Sequence, residues 1–358
     1  MLPGRRGRGR SRARGAHRRA QGPAAEGRRH VKALIPAAGT GTRLRPHTHN
    51  KPKALLPVAG KPILGHIIDD LLQAGVDEVV LIIGYCGDAV RAWAAGAYPG
   101  LPVTCVEQSE RLGLGHAVWT ARDAIGDAPF FCILGDTIVK TDYRRLLADP
   151  HNCIAVREVA DPRRFGVVEM RDGAVLRFVE KPEVPPSNLA IVGAYLLRDA
   201  PRLWAAMDRI VAEDRRTRGE YQLTDGLQAM LAGGCRFSVQ TVGEWYDCGK
   251  RETWLETNRA LLDADPAAAA AAPGVAPPCL VAPGARVSRS RLGPHVVVGA
   301  GAVIEDCDLT DTIVGDGAEV RRCRLAGSLI GERAIVTGVD GSVNVGDDSE
   351  VAADRRDP

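Results

Sequence analysis

Residues 32–83 decide the fold of this 358-residue chain, because three segments there alternate in pattern: KALI (32–35), ILGHIIDDLLQA (63–74) and EVVLII (78–83). In the middle segment, aliphatic residues recur at helical spacing, and Gly75 is a glycine of the type that ends helices. The flanking apolar runs are typical of buried strands. A strand, a helix and a strand joined in this way form a βαβ unit, which makes the two strands parallel.

The same alternation continues along the chain. Residues 88–96 and 115–125 have helical spacing, whereas residues 103–107 and 130–134 have an extended, apolar character. We therefore predict an α/β domain over residues 31–262, with a doubly wound, Rossmann-like and mostly parallel sheet. Ligands of such sheets bind beyond the carboxyl ends of the strands. The glycine-containing loop after residue 36 and the pair Gly135-Asp136 both lie at such ends.

A change in composition after residue 262 marks a second domain. An Ala/Pro-rich linker over residues 263–279 precedes a repeat over residues 280–351, in which Gly299, Gly315 and Gly331 are sixteen residues apart and Gly346 follows fifteen later. Aliphatic residues recur every five or six positions, at 298, 304, 309, 314, 320, 325 and 330. This hexapeptide rhythm predicts a short parallel β-helix of about four or five coils. A Gly/Val-rich β-sandwich is the alternative, but it does not explain the fixed repeat.

The first 30 residues are set apart by their charge. They contain ten Arg and one Glu, whereas the rest of the chain has six more acidic than basic residues. A phosphate site must therefore be built from local residues rather than from a general basic field. The head has no aromatic residue and no periodicity, so we interpret it as a disordered tail rather than a nucleic-acid-binding arm. A start at Val31 is a further alternative, and in each case we expect residues 1–30 to be dispensable for activity.

The cysteine and apolar patterns bear on the compartment. The nine cysteines include no C-x-x-C pair and no Cys/His cluster at zinc spacing, which predicts reduced thiols in a cytoplasmic protein. No apolar run reaches the ~18 residues of a membrane span, and the basic head lacks the apolar stretch of a secretory signal. We expect no membrane or nucleic-acid partner.

The segment AAGTGTRLRP (37–46) suggests a phosphate-binding loop. Glycine allows the backbone to approach phosphates closely and to turn several N–H groups toward one anion. Two glycines alone are weak evidence, and the segment matches neither the dinucleotide fingerprint nor the P-loop pattern. The nearby cations Arg43, Lys51 and Lys53 strengthen the interpretation. Lys51 and Lys61 are also compatible with ordinary surface positions.

The run KALIPAAGTGTRLRPHTHNKPKALLPVAGKP (32–62) resembles the signature of the nucleotidyltransferases that act on sugar 1-phosphates. The resemblance extends to about residue 345 and is strongest to the long form of glucose-1-phosphate thymidylyltransferase, which carries a C-terminal left-handed β-helix. Further similar segments follow in the same order: Gln108 with Gly113, LGD (134–136), FGV (165–167), EKP (180–182), SNLAIVGAY (187–195), RGEYQLTD (218–225) and WYDCG (245–249).

This resemblance implies an enzyme of nucleotide-sugar biosynthesis that transfers a nucleotidyl group from a nucleoside triphosphate to a sugar 1-phosphate. The substrates it favours are dTTP and glucose 1-phosphate. The implied residues are as follows: Arg43 and Lys53 as the catalytic cations; Gly39, Thr40, Gly41, Thr42, Gln108 and Gly113 for the nucleotide; Gly166, Glu180, Lys181 and Gly193 for the sugar phosphate; Asp136 and Asp247 for Mg²⁺. The chemistry agrees, since Mg²⁺ prefers oxygen ligands and in-line phosphoryl chemistry needs positioning and charge neutralisation.

Several departures leave the substrates open. Thr137 replaces the more common Asn, residues 37–38 are Ala-Ala, and Asp247 is followed by Cys-Gly-Lys. UTP, GTP or CTP could therefore replace dTTP. A non-catalytic nucleotide-sensing subunit is a further alternative, although it would be expected to lack one of the four charged residues assigned to catalysis and metal binding.

The β-helix could also be a second enzyme, an acyltransferase. That chemistry usually needs a histidine base, and the only histidine after the linker is His295 in a Gly-Pro-His turn. We interpret His295 as a solvent-facing corner residue. The β-helix is then an oligomerisation or packing module, and we expect a homo-oligomer.

Overall fold

The computed structural model describes residues 31–269 and 273–353, so the predicted arginine-rich head lies outside the described residues. The described residues from Val31 onward belong to one compact unit. The helices of these residues are α1 (Ile63–Ala74), α2 (Gly87–Ala97), α3 (Leu114–Thr120), α4 (Arg122–Ile125), α5 (Tyr143–Ala148), α6 (Ala200–Ala212), α7 (Leu223–Ala232) and α8 (Arg251–Asp263). Among the described residues, no helix is long and apolar enough to cross a membrane.

The strands that precede α8 are β1 (Lys32–Pro36), β2 (Pro57–Val58), β3 (Lys61–Pro62), β4 (Glu78–Ile83), β5 (Val103–Glu107), β6 (Phe130–Ile133), β7 (Thr137–Lys140), β8 (Asn152–Glu158), β9 (Gly166–Arg171), β10 (Ala174–Glu180), β11 (Leu189–Leu197), β12 (Phe237–Thr241) and β13 (Glu244–Asp247). The predicted strands correspond to β1, β4, β5 and β6. The predicted helix over 115–125 is divided at Ala121, whose N–H bonds to the carbonyl of Val118 in a 3₁₀-type turn.

The order β5-β4-β1-β6 of parallel strands confirms the doubly wound arrangement. Because β1 has β4 on one side and β6 on the other, the winding reverses at β1, and a crevice for ligands opens there. Beyond β6 the sheet is mixed rather than parallel, since β11 pairs antiparallel with β6, β8 and β9. Strands β9 and β10 are also antiparallel, because the two-residue turn Asp172-Gly173 joins them into a hairpin. The positive φ values of both turn residues are typical of such a tight hairpin.

The core explains why α1 begins and ends where the sequence predicts. Its aliphatic face is almost completely buried against the sheet, at Ile63, Leu64, Ile67, Ile68 and Leu71. At its end Gly75 has φ 99° and donates its N–H to the carbonyls of the last turn. This left-handed conformation favours glycine, so the predicted stop is confirmed.

The strands that follow α8 are β14 (Cys279–Val281), β15 (Arg286–Ser288), β16 (Arg291–Leu292), β17 (Val296–Val298), β18 (Val303–Glu305), β19 (Asp308–Val314), β20 (Glu319–Arg321), β21 (Arg324–Ile330), β22 (Ile335–Thr337), β23 (Asp340–Gly341), β24 (Asn344–Val345) and β25 (Glu350–Ala352). Within this region the strand pairings are parallel, and Val298 lies beside Val314, which lies beside Ile330 on the next coil.

These registers confirm the parallel β-helix. The predicted aliphatic positions 298, 304, 309, 314, 320, 325 and 330 are each no more than 3% exposed. The repeated glycines lie where successive coils approach one another: a Cβ on Gly315 would stand 2.6 Å from the amide nitrogen of Glu332. A larger residue at this corner would push the coils apart.

The predicted linker packs against the protein. Among its described residues, the secondary structure includes the isolated bridge of Val275 with Leu292 and the first residue of β14. Ala268 is fully buried, and its carbonyl accepts the N–H of Cys279. The nine cysteines are all unpaired and are buried or half-buried, as expected for reduced thiols.

Candidate active site

The candidate site lies at the carboxyl ends of β1 and β6, where the winding of the sheet reverses. The amide of Gly135, after β6, donates to the carbonyl of Pro36 at the end of β1 (3.0 Å). A cavity of about 360 Å³ opens beside them, and its lining includes the predicted residues Gly39, Thr40, Lys53, Gln108, Gly113 and Asp136. Residues from four separate parts of the chain thus meet at this crevice.

A lysine and two aspartates form the charged centre of the site. The Nζ of Lys53 lies 2.7 Å from Oδ2 of Asp136 and 3.8 Å from Oδ1 of Asp247. Asp136 lies three residues after the end of β6, whereas Asp247 is the last residue of β13, which pairs antiparallel with β7 so that Asp247 stands opposite Thr137. Residues more than a hundred positions apart are therefore adjacent because of one strand pairing.

Arg43 approaches the same centre from the glycine loop. A Cβ on Gly249 would lie 2.8 Å from Oδ1 of Asp247 and 3.2 Å from Nη2 of Arg43, so both groups border this glycine. Gly41 has φ 59°, and its carbonyl accepts the hydroxyl hydrogen of Thr48 (2.8 Å). A 3₁₀ turn over Thr42–Leu44 follows and carries Arg43. The loop shape that the sequence predicts therefore depends on a left-handed glycine.

The surroundings keep Asp136 ionised. Burial opposes the charge, but attraction to Lys53 and hydrogen bonds from Lys53 and Thr137 outweigh it and hold the pKa of Asp136 below its ordinary value. The side chain of Asp136 is nevertheless 43% exposed, so a ligand can reach it. Burial raises the pKa of the neighbouring Cys248 thiol to about 12, and this cysteine is a neutral core residue at neutral pH.

The donor set fits Mg²⁺. The Lys53 ammonium lies within 4 Å of a carboxylate oxygen of Asp136 and one of Asp247. A metal cation bound near this position would therefore have two carboxylate oxygens beside it. No cluster of three or more His, Cys, Asp or Glu side chains suited to a metal ion occurs in residues 31–269 and 273–353. Two carboxylates would be enough for Mg²⁺, which commonly takes its remaining ligands from substrate phosphates and water.

Gln108 and Gly113 form the opposite wall of the cavity. The Nε2 of Gln108 donates to the carbonyl of Gly113 (3.2 Å) and lies 3.3 Å from Nδ1 of His116. Burial lowers the pKa of His116, so its ring is neutral at pH 7 and can accept this hydrogen bond. Gly113 itself has φ 112°, and a Cβ there would stand 2.6 Å from the carbonyl oxygen of Tyr221. Only glycine fits this close approach.

A second group of predicted residues lies between β9, β10 and β11. The Oε2 of Glu180 accepts the hydroxyl hydrogen of Thr224 (2.7 Å), and Lys181 Nζ lies 3.2 Å from the other carboxylate oxygen. Gly166 faces the same carboxylate, since a Cβ there would lie 3.1 Å from Oε2 of Glu180. Gly193 has φ 87° at a bulge in β11 and packs directly on Leu134, which lines the cavity.

Three residues of the site were not assigned a role from the sequence. Arg218 donates to the carbonyl of Lys181 (2.7 Å), and both residues have positive φ, a conformation that is strained for a side chain of this kind. Glu220, two residues later, and Arg111 both line the cavity that contains Gln108. The guanidinium of Arg111 lies 5.8 Å from the centre of the Tyr85 ring. The segment 218–220 therefore connects the two groups of predicted residues.

Two interpretations from the sequence are wrong. Lys51 is neither a surface residue nor part of the cavity lining, because its ammonium binds Glu332 and lies 3.8 Å from Asp347, both in the β-helix. His295 is not a solvent-facing corner residue, since its Nε2 lies 2.8 Å from the carboxylate of Asp263 and its side chain is only 20% exposed. Lys61 does bind at the surface, to Asp69.

Comparison with known proteins agrees with this geometry. Residues 32–264 match the model of the nucleotidyl transferase family. The chain is 37% identical over 242 residues to the low-salt glycan biosynthesis nucleotidyltransferase Agl11 of Haloferax volcanii, covering 65% of this chain and 66% of that protein. It is also 37% identical over 289 residues to a glucose-1-phosphate thymidylyltransferase of Streptomyces antibioticus, covering 77% of this chain and 80% of that protein.

A solved structure is similar as well. A UDP-glucose pyrophosphorylase in complex with UDP-glucose superposes with a TM-score of 0.57 at 27% identity, covering 66% of this chain and all of that one. The matched family model spans the sheet and the helices that build the charged centre and the cavity. The chain therefore belongs to the nucleotidyl transferase family and is an enzyme of its sugar-1-phosphate nucleotidyltransferase group.

Proposed function

We propose that this enzyme transfers a thymidylyl group from dTTP to glucose 1-phosphate and releases pyrophosphate. The observation that carries the proposal is the charged centre at the crevice, where Lys53 meets Asp136 and Asp247 beside Arg43. In this reaction an oxygen of the sugar phosphate attacks the α-phosphorus in line, a new P–O bond forms, and the bond to pyrophosphate breaks. Catalysis of such a step consists mainly of positioning and charge stabilisation.

The glycine loop and the two cations act on the triphosphate. The backbone N–H groups of residues 39–42 would bind phosphate oxygens, and Arg43 with Lys53 would neutralise the charge that develops on the leaving pyrophosphate. Asp136 and Asp247 would hold Mg²⁺, which supplies further positive charge to the phosphates when it is bound. Lys53 would then move its hydrogen bond from Asp136 to a phosphate oxygen.

The second group of residues acts on the sugar phosphate. Lys181 and Arg218 are neighbouring cations, joined by the hydrogen bond from Arg218 to the Lys181 carbonyl. Both would bind the phosphate of the acceptor, and Glu180 would accept hydrogen bonds from sugar hydroxyls beside Gly166 and Gly193. The buried indole N–H of Trp245 has no hydrogen-bond partner among the described residues and is a further donor at this side, where its ring contacts Phe165 (4.7 Å between centroids).

Gln108 supports a pyrimidine with a ring N–H. Its Nε2 is already engaged by Gly113 and His116, and its Oε1 accepts no hydrogen bond from any residue in the described part of the chain. This free acceptor suits the N3–H of thymine or uracil, whereas cytosine has no such donor. UTP is therefore the leading alternative to dTTP, and one similar solved structure is a UDP-glucose pyrophosphorylase. CTP would require a different use of Gln108, whereas guanine also carries a ring N–H, so the substrate panel below tests GTP directly.

A non-catalytic nucleotide-sensing subunit is the remaining alternative. Such a subunit could lose any one of the charged residues without losing its fold. Here Arg43, Lys53, Asp136 and Asp247 are all present and adjacent. This arrangement supports turnover rather than sensing alone.

The test is a substrate panel. Purified protein with Mg²⁺ is incubated with dTTP, UTP, GTP, CTP or ATP and with glucose 1-phosphate or other hexose 1-phosphates, and pyrophosphate release is followed. We expect the highest kcat/KM for dTTP with glucose 1-phosphate. A strong preference for GTP or CTP would reject the thymidylyl assignment, and release with no pair would favour the sensing subunit.

A further inference from the structure

The β-helix contacts the segment that joins the two catalytic cations. The stretch between Arg43 and Lys53 includes residues 45–52, which contain neither a helix nor a strand. Its backbone hydrogen bonds are those of short turns, such as His47 N–H to the Leu44 carbonyl and His49 N–H to the Pro46 carbonyl (both 3.1 Å), so its position also depends on what packs against it. The position of both cations therefore depends on the neighbours of this segment.

Three contacts to the β-helix lie within this segment. Gly346 touches Pro46, since a Cβ on Gly346 would stand 2.9 Å from Pro46 Cβ. The Nε2 of His47 lies 2.8 Å from Oδ1 of Asn344. Each contact uses a different residue of the segment, and each partner belongs to the last coils of the β-helix.

The third contact is charged and mostly shielded from water. The Lys51 ammonium binds Glu332 and lies 3.8 Å from Asp347, and its side chain is only 18% exposed. The two acidic residues are themselves joined, because Oδ1 of Asp347 accepts the backbone N–H of Glu332 (2.9 Å). A lysine held by two linked carboxylates has little freedom, and Lys53 follows only two residues later.

The β-helix also holds the side of the site that carries Asp247. Arg251, at the start of α8, donates to the carbonyl of Gly327 (2.6 Å) and to the hydroxyl of Ser342. The segments that carry Lys53 and Asp247 are thus both connected to the β-helix by side-chain hydrogen bonds. A module that served only for oligomerisation would not need contacts at these positions.

From these contacts we infer that Lys51 is a positioning residue, and that the β-helix holds Arg43 and Lys53 in place for catalysis through it. This inference rests on the proposed nucleotidyl transfer. Catalytic charges act fully only at the correct distance, and a displacement of 1 Å can cost about 100-fold in rate. Loss of the Lys51 contact lets the segment move while the glycine loop and the sheet remain.

The experiment compares Lys51→Met, Glu332→Gln and the double variant in the full chain, with pyrophosphate release as the assay. We expect kcat to fall about tenfold in Lys51→Met, which corresponds to about 1.4 kcal/mol, with KM for the sugar 1-phosphate within about twofold. The double variant should be no worse than Lys51→Met, because both changes break one contact. Lys51→Arg, which keeps the charge, should restore most of kcat.

Lys61→Met is the matched control, since Lys61 forms its ion pair with Asp69 of α1 and not with the β-helix. Lys53→Ala distinguishes failure of the inference about Lys51 from failure of the catalytic assignment on which it rests. An unchanged kcat in Lys51→Met together with a large loss in Lys53→Ala would overturn the inference and leave the proposed function intact. Activity retained in both variants would reject the inference and the catalytic role of Lys53, whereas no pyrophosphate release by the parent protein with any substrate pair would reject the proposed function. If Lys51→Met does not fold, Asn344→Ala removes the His47 contact instead, and an unchanged kcat there counts against the inference.

Discussion

Replacement of Lys53 by alanine removes the cation that joins the two aspartates of the site. The Nζ lies 2.7 Å from Asp136 and 3.8 Å from Asp247, and the side chain is only 8% exposed. Two unit charges about 4 Å apart interact by about 4 kcal/mol in surroundings with an effective dielectric constant of about 20. Exposure of Asp136 reduces this figure, and removal of one charge stabiliser from other active sites costs about 2.7–4 kcal/mol.

We therefore expect kcat for pyrophosphate release to fall by about 100-fold or more in Lys53→Ala. Steady-state kinetics with saturating Mg²⁺ and both substrates measure this change. The matched control is Lys61→Ala, whose lysine binds Asp69 outside the cavity and should change kcat by less than about twofold. Circular dichroism checks that both variants are folded. A folded Lys53→Ala protein with turnover within about threefold of the parent would refute the assignment of Lys53, since a charge stabiliser of this type is worth at least about 100-fold.

The other predictions concern the metal, the base pocket, the pH response and the head. Asp247→Asn should raise the Mg²⁺ concentration for half-maximal activity by about tenfold, consistent with the loss of one charged ligand; an unchanged Mg²⁺ titration would contradict the metal assignment. Gly113→Ala should raise KM for the nucleoside triphosphate and lower Tm, because its Cβ would stand 2.6 Å from the carbonyl of Tyr221; normal values for both would show that the segment can shift. The pKa of Asp136 is lowered in the folded protein, so its ionised form stabilises the fold above about pH 4, the value for an unfolded Asp, and this contribution is lost as the pH falls through the lower folded pKa. Urea unfolding should therefore show the stability difference between the parent and Asp136→Asn shrinking below about pH 4, and a difference independent of pH would contradict this. Deletion of residues 1–30 should leave kcat/KM unchanged, and loss of turnover in the truncated protein would show that the head contributes.

Local patterns in the sequence were sufficient for the regular elements. The helical spacing over 63–74 and the stop at Gly75 correspond to α1, and the hexapeptide rhythm corresponds to buried positions in the β-helix. These features depend on neighbours within one turn or one coil, so periodicity reveals them. The hairpin of β9 and β10 had an equally local signal, Asp172-Gly173, which is a strong indicator of a two-residue turn.

The sequence by itself thus determined the elements, the family resemblance and the residue types that the chemistry needs. The tertiary structure decided which of these residues meet. Asp247 reaches Lys53 because β13 pairs with β7, and Lys51 turns to Glu332, 281 positions away, instead of to the phosphate cavity. Neither contact follows from spacing, because a lysine next to a glycine loop is attracted to any carboxylate that folding brings within reach, and long-range packing alone determines which carboxylate that is.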